Sequence, residues 1–317
     1  FGLGFDGQYH NRFKNAVRDA IFAEGFNGNP NVSALASAAG GTGGSFASKA
    51  FNYFELHDDA WPLNGHERAV RDFDPVLPSN SDKARGLQTL GNGLVLTAKG
   101  VPAILQGTEW LEDDGWENNK IDWSHKAQNA GTIRFYQDLI ALRTATPALF
   151  ANSPSRTIHL NEGDDVFAFE RWGTDGQSYV VVANISPFDR SGYTIGLPRS
   201  GEWGVIINND ATEYDGGGFG TVGSFQAEPI AYDNEDQRAS LDIPAYGFML
   251  LQHNPEFIGC SDADLAEPFG ALNFFDISAF VASYSSGEAS ADLAAPFGTL
   301  NFFDVAEYVG LFNAGCP

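Results

Sequence analysis

Apolar residues run almost unbroken through Phe51-Asn52-Tyr53-Phe54-Glu55-Leu56 and stop abruptly at His57-Asp58-Asp59. Such a run predicts a buried strand of a parallel sheet, where groups with a chemical role gather just past the carboxyl end. Asp58 is therefore a candidate catalytic residue. The stretch Gly100 to Gln106 repeats the pattern and ends in Gly107-Thr108-Glu109-Trp110, so two strand tips are expected to face one cleft. Between the runs, Ala84, Leu87, Leu90, Leu94 and Val95 fall at helical spacing and predict a helix over Ser81 to Thr97. Phe135, Leu139, Ile140 and Leu142 predict another over Ile133 to Ala145, stopped at Thr146-Pro147. Strands alternating with helices across residues 1–150 predict βα units and a parallel sheet.

From Ser153 to His253 the period changes. Short β-branched and aromatic runs such as Val166 to Glu170 and Ser178 to Asn184 are split by Gly, Asn, Asp and Pro, which predicts an all-β sandwich over 151–254. Residues 255–317 contain a repeat. Asp264-Leu-Ala-Glu-Pro-Phe-Gly-Ala-Leu-Asn273-Phe-Phe-Asp276 recurs as Asp292-Leu-Ala-Ala-Pro-Phe-Gly-Thr-Leu-Asn301-Phe-Phe-Asp304. Each copy leads into an apolar helical stretch, Ile277 to Tyr284 and Val305 to Phe312, so the two helices can bury their faces against each other.

Charge narrows the partners. The 317 residues carry a net charge of -23 without clustered Lys or Arg, which argues against nucleic acid and anionic membranes. No apolar stretch approaches the roughly 20 residues that span a bilayer. Residue 1 is Phe and the only Met is Met249, so further polypeptide is expected upstream. The match Gly2-Leu-Gly4-Phe-Asp-Gly7 to a dinucleotide motif lacks the preceding strand and following helix that give it meaning, and reads as a strand with close-packed glycines. The remaining histidines lack metal-ligand spacing. Glu112-Asp113-Asp114 is expected to be a solvated loop. Trp61, Trp110, Trp116 and Trp123 are core or ligand-stacking rings, with Trp110 and Trp61 placed best to line the cleft.

The ordered motifs Gly2-Leu-Gly-Phe-Asp6, Phe54-Glu-Leu-His57-Asp58-Asp59, Gly100 to Trp110 and Lys120-Ile-Asp-Trp123 resemble the sixth, seventh and eighth strand regions of the α-amylase superfamily. Branching enzymes are the most similar subgroup. Gly192-Tyr193 to Pro198, Gly201-Glu-Trp203 and Asn208-Asn-Asp210-Ala are similar to the C-terminal sandwich of those enzymes. The resemblance implies the distal part of a (β/α)8 barrel over 1–150 and an α-glucan substrate. It implies retaining cleavage by two carboxylates about 5 to 5.5 Å apart, with nucleophile and general acid on earlier strands, upstream of this chain. Asp58 takes the role of a third carboxylate supporting the oxocarbenium-like transition state, and His57 donates to sugar hydroxyls. Asp59, Gln106, Glu109, Trp110 and Trp61 fall on the substrate side. Leu56 and Asp59 depart from the usual residues around His-Asp. Three strands cannot close a barrel, so residues 1–150 are not expected to fold well alone. Glucan hydrolases of debranching or trehalohydrolase type, and a noncatalytic surface or assembly protein docking through its tail, are the alternatives.

The tail resembles EF-hand-like and dockerin-like repeats of secreted bacterial proteins. Calcium in it would use Asp264, Asn273, Asp276, Asp292, Asn301 and Asp304, but Ala and Pro occupy positions that supply oxygens in loops of about 12 residues. A metal-free helical pair is the other reading. No cofactor is implied for catalysis. Cys260 and Cys316 bracket the module and are expected to close it as a disulfide, which implies an oxidising compartment; two free thiols in the cytosol are the alternative. With the acidity, this places the protein outside the cell or at its surface.

Overall fold

The computed structural model describes residues 7–26, 29–41, 47–60, 67–115, 121–174, 176–253, 261, 263–266, 272–288, 291–294 and 298–315. The chain divides into two compact units, Phe1–Asn254 and Pro255–Pro317. The first opens with β1 (Gln8–Tyr9), α1 (Asn11–Phe26), α2 (Val32–Ala39), β2 (Ala50–Asn52), α3 (Ala69–Phe73), α4 (Asp82–Thr97) and β3 (Val101–Pro102), then α5 (His125–Gln128) and α6 (Ala130–Ala145). β1, β2 and β3 pair in that order as a parallel sheet, with Gln8 opposite Ala50 and Phe51 opposite Val101. Ser81 caps α4 by accepting from the Ala84 N–H, at the position where the apolar spacing begins.

The strand expected over Phe51 to Leu56 is shorter than its apolar run. Its ladder ends at Asn52 opposite Pro102, closed by the bond from the Ala103 N–H to the Asn52 carbonyl at 2.8 Å. The run continues because burial continues: Phe54 packs against the Phe22–Phe73 ring pair although it lies outside any strand. The strand expected over Gly2 to Asp6 lies outside the described residues, and the described strand there is Gln8–Tyr9.

The all-β part contributes β4 (Ser155–Asn161), β5 (Val166–Trp172), β6 (Ser178–Asn184), β7 (Arg190–Leu197), β8 (Glu202–Asn208), β9 (Ser224–Gln226), β10 (Gln237–Ile243) and β11 (Gly247–His253). Six form an antiparallel sheet in the order β4-β5-β6-β11-β8-β9, and β10 pairs with β7. Side chains alternate between two cores. Phe167, Phe169, Val181, Ala183, Phe248 and Leu250 join the core shared with the helices, while Val166, Ala168, Val180, Val182, Met249 and Leu251 meet Ile195, Leu197 and Leu241 of the β7–β10 pair. The sheet is thus covered on both faces, and the expected boundary near 150 falls inside one continuous core. Gly93 permits the contact between α4 and β11, since a Cβ there would come within 2.6 Å of the Phe248 ring.

Two buried arginines tie the layers together. Arg143 donates to the carbonyls of Leu96, Ala98 and Gly100, and Arg171 to those of Thr97, Phe150 and Pro154. The carbonyls of Leu96, Thr97, Ala98 and Gly100 lie at and just beyond the end of α4, where its own ladder leaves acceptors unmatched and the helix dipole favours a cation, while those of Phe150 and Pro154 belong to the segment that follows α6.

In the second unit, α7 (Phe274–Ser286) and α8 (Phe302–Ala314) start three residues before the expected helical stretches. The reason is a capping box in each repeat. Asn273 and Asn301 cap the helices, and Asp276 and Asp304 reach back to the cap N–H. Asp276 also accepts from the Leu265 and Ala266 N–H groups at 2.8 Å, and Asp304 from Ala294 at 2.9 Å. Burial alone would raise the Asp276 pKa, but the N–H donors of Asn273, Ala266 and Leu265 outweigh it and hold it below the usual carboxylate range. The N–H groups of Ala294 and Asn301 do the same for Asp304. These carboxylates and asparagines are therefore engaged as helix caps. Asp264 is buried, and Asp292 accepts from the Gly298 N–H. Among the described residues no group of three or more His, Cys, Asp or Glu side chains is arranged to hold a metal. The Phe280 and Tyr308 rings stack at 3.9 Å between the helices. Cys260 and Cys316 lie outside the described residues. No helix among them is long and apolar enough to cross a membrane.

Candidate functional site

The carboxyl ends of the parallel strands lead to His10 after β1, Tyr53 to Asp59 after β2, and Ala103 to Trp110 after β3. His10 Nδ1 lies 2.9 Å from Asn52 Oδ1, and Asn52 donates to the Lys99 carbonyl, which braces the three strands. Beside these ends is a cavity of about 250 Å³ lined by His57, Arg68, Leu105, Gln106, Glu112, Asp114 and Ile121.

Asp58 follows the cavity-lining His57. Its side chain is 80% exposed, with Oδ1 3.2 Å from His57 Nε2, and it does not line the cavity, whereas His57 does. Gln106 is exposed and lines it too. Glu109 accepts from the Gly107 N–H at 2.9 Å, closing the turn after β3. Asp59, expected on the substrate side, is an anchor. One oxygen pairs with Lys14 at 3.0 Å and the other accepts from the Leu56 N–H, which ties the loop to α1. Burial, then the Asp59 and Asp58 charges, raise the pKa of the neighbouring Tyr53 phenol, whose hydroxyl donates to Asn11.

The tryptophan expectation is corrected. Trp110 is only 5% exposed and cannot offer its face to a ligand. It underlies Trp123, which is 56% exposed with ring centroids 4.9 Å apart, and the Lys126 ammonium sits within 5.6 Å of both rings. Proximity to a strand tip indicated the region but not which ring faces solvent. Trp61 and Trp116 lie outside the described residues.

The acidic run after β3 is also corrected, because Glu112 and Asp113 are buried. Glu112 accepts from the Asp114 and Asp122 N–H groups and Asp113 from that of Ser79, so two of the three carboxylates cap backbone donors from other segments. Sequence reasoning also passed over Glu55 and Arg68, each about 2% exposed and paired at 3.0 Å. A glutamate inside an apolar run was the available signal, since a buried carboxylate calls for a cation. Tyr136, fully buried nearby, has a phenol pushed well above its usual pKa by burial and by the charges of Glu109 and Glu55.

Residues 157–254 match the family model described as the alpha amylase C-terminal all-beta domain. The chain is 32% identical over 163 residues to the 1,4-alpha-glucan branching enzyme GlgB of Frankia casuarinae, covering 48% of this chain and 20% of that enzyme. It is 29% identical over 172 residues to the GlgB of Albidiferax ferrireducens, covering 51% and 28%. The chain thus spans a fifth to a little over a quarter of the length of these relatives. Among solved structures, the pullulanase from Bacillus acidopullulyticus superposes with a TM-score of 0.56 at 19% identity over 80% of this chain and 31% of its own. The catalytic module of the glycogen-degrading pneumococcal virulence factor SpuA does so with a TM-score of 0.54 at 16% identity, over 78% and 43%. At these identities the likeness is one of fold. Residues 157–254 are thus similar to the alpha amylase C-terminal all-beta domain, and about half of the chain is similar to part of the branching enzymes.

Proposed function

We propose that this chain is the distal portion of an α-glucan-acting enzyme of branching-enzyme type, which cleaves a 1,4-linked chain with retention and transfers it to a 6-position. The observation that carries this reading is the cavity at the carboxyl ends of β2 and β3, with His57 on its wall and Asp58 in contact with His57. Asp58 is the carboxylate that supports positive charge developing on the sugar, which lowers the barrier because the charge is largest in the transition state. The chemistry needs a nucleophile and a general acid as well. This reading assigns them to preceding strands of the same barrel, whose walls would enclose the exposed Asp58. Gln106 and Glu109 serve as hydroxyl partners, and Trp123, braced by Trp110, presents the aromatic face on which a pyranose ring packs.

The test is the iodine spectrum of amylose treated with the intact protein, with chain-length analysis of the products. Branching shortens the iodine-absorbing segments without releasing free sugar, and Asp58→Asn lowers the rate by about a hundredfold or more. Reducing sugar released without new 1,6 linkages assigns hydrolysis instead. A protein inert toward amylose and glycogen defeats both. Export is part of the reading through the tail alone. Intact mass before and after thiol alkylation shows a Cys260–Cys316 bond as two cysteines that resist labelling until reduced.

A further inference from the structure

The Glu55–Arg68 pair joins segments that come from different strands. Arg68 Nε donates to Glu55 Oε1 at 3.0 Å, Nη1 to the Gln106 carbonyl at 3.1 Å and Nη2 to Thr108 Oγ1 at 2.9 Å. The other Glu55 oxygen accepts from the Ala69 N–H at 2.8 Å, which places the first turn of α3, and Thr108 Oγ1 lies 3.4 Å from Glu55. One guanidinium thus links the segment before His57 to the turn after β3. The turn is folded down onto it. Gly107 has φ +95°, and a Cβ there would lie 2.7 Å from Glu112 Cβ and 3.4 Å from Arg68 Nη1, so only glycine fits.

Stability does not account for this arrangement. Withdrawing two charges from water costs several kcal/mol per ion, and a well-packed apolar pair of similar volume is often as stable or more so. An apolar pair supplies no directed bonds. The planar fork of arginine sets three acceptors at fixed separations, which a lysine cannot do. Arg68 also lines the cavity between His57 and Gln106.

We infer that Glu55 and Arg68 are positioning residues that hold the His57–Asp58 loop and the Gln106–Trp110 loop at the separation the cavity requires. The identity of the ligand rests on the α-glucan reading; the mechanical role does not. The experiment compares the full chain with a Glu55→Leu/Arg68→Met double variant and with Arg68→Lys, by amide hydrogen exchange without sugar and by titration with maltoheptaose. The double variant should fold but melt below the parent, because the Ala69 N–H and the Thr108 hydroxyl lose buried partners, while amides of 56–59 and 105–110 exchange about tenfold faster or more. Maltoheptaose affinity should fall by about tenfold or more, the scale of a misplaced binding group. Arg68→Lys keeps the charge and the bond to Glu55 and should loosen 105–110 alone. Native exchange in both loops of a folded double variant overturns the inference. If that variant does not fold, parent-like exchange in Arg68→Lys overturns it, and loosening confined to 105–110 upholds it. A parent that ignores maltoheptaose, with loops that still loosen in the variants, sinks the glucan reading and leaves the clamp standing.

Discussion

The two sheets of the first unit are built on opposite principles. The six-stranded sheet has ladders of up to seven residues and apolar cover on both faces, so its position follows from burial and backbone pairing. The parallel sheet has strands of two or three residues and is held by polar pins: Asn52 on Lys99, Asp59 on Lys14, and Glu55 on Arg68. Apolar burial is roughly proportional to area and is not directional, whereas charge-assisted hydrogen bonds fix angles. The region that must only be stable uses the first, and the region beside the cavity uses the second.

The comparison is tested most severely by Phe248→Ala, which empties the contact between β11 and α4. It should cost about 3–5 kcal/mol in urea unfolding of the chain. Arg171→Met should cost somewhat less, about 2–3 kcal/mol, because it leaves the buried Thr97 carbonyl and the partly buried contacts to Phe150 and Pro154 unmatched. Lys14→Met, in the polar-pinned region, should cost only about 1 kcal/mol while speeding exchange of amides 56–60, since the ion pair it breaks is partly exposed. A Lys14→Met loss as large as that of Phe248→Ala would erase the distinction. The smallest stability effect belongs to Trp123→Ala, within about 0.5 kcal/mol because the ring is exposed; under the proposed α-glucan reading it should weaken maltoheptaose binding by roughly tenfold.

The second unit offers a pH control. Asp276 and Asp304 have folded pKa values below the unfolded ones, so their stabilisation is complete above about pH 4 and is lost as pH falls through the folded values. Signals of Phe280 and Tyr308 should lose dispersion in that acid window. Burial, and secondarily the Asp276 charge, push the Tyr308 phenol up to about 12, so its titration should be delayed in alkali while the stack with Phe280 persists.

Much of this architecture was legible. Ser81 and the spacing of Leu87, Leu90 and Leu94 announce α4, because a helix cap and a 3.6-residue period are local properties. Val180 to Ala183 announce a covered strand for the same reason. Strand length was not legible around Phe54, where burial outlasts pairing. Nor was the exposure of Trp110 and Trp123, because the sequence orders both rings without saying which lies on top. Glu112 and Asp113 looked like a solvated loop because the N–H groups that satisfy them, those of Asp122 and Ser79, come from elsewhere in the chain.

What this sequence determined by itself is what short-range physics can carry: helix periods and caps, covered strands, the tail repeat, and the polar tips that mark one end of the parallel sheet. The tertiary structure alone decided which charges are buried and with whom. Pairing Glu55 with Arg68, anchoring Asp59 on Lys14, and bringing the Leu265 and Ala266 N–H groups to Asp276 all depend on through-space neighbours. A buried charge is tolerable only where the fold delivers its partner.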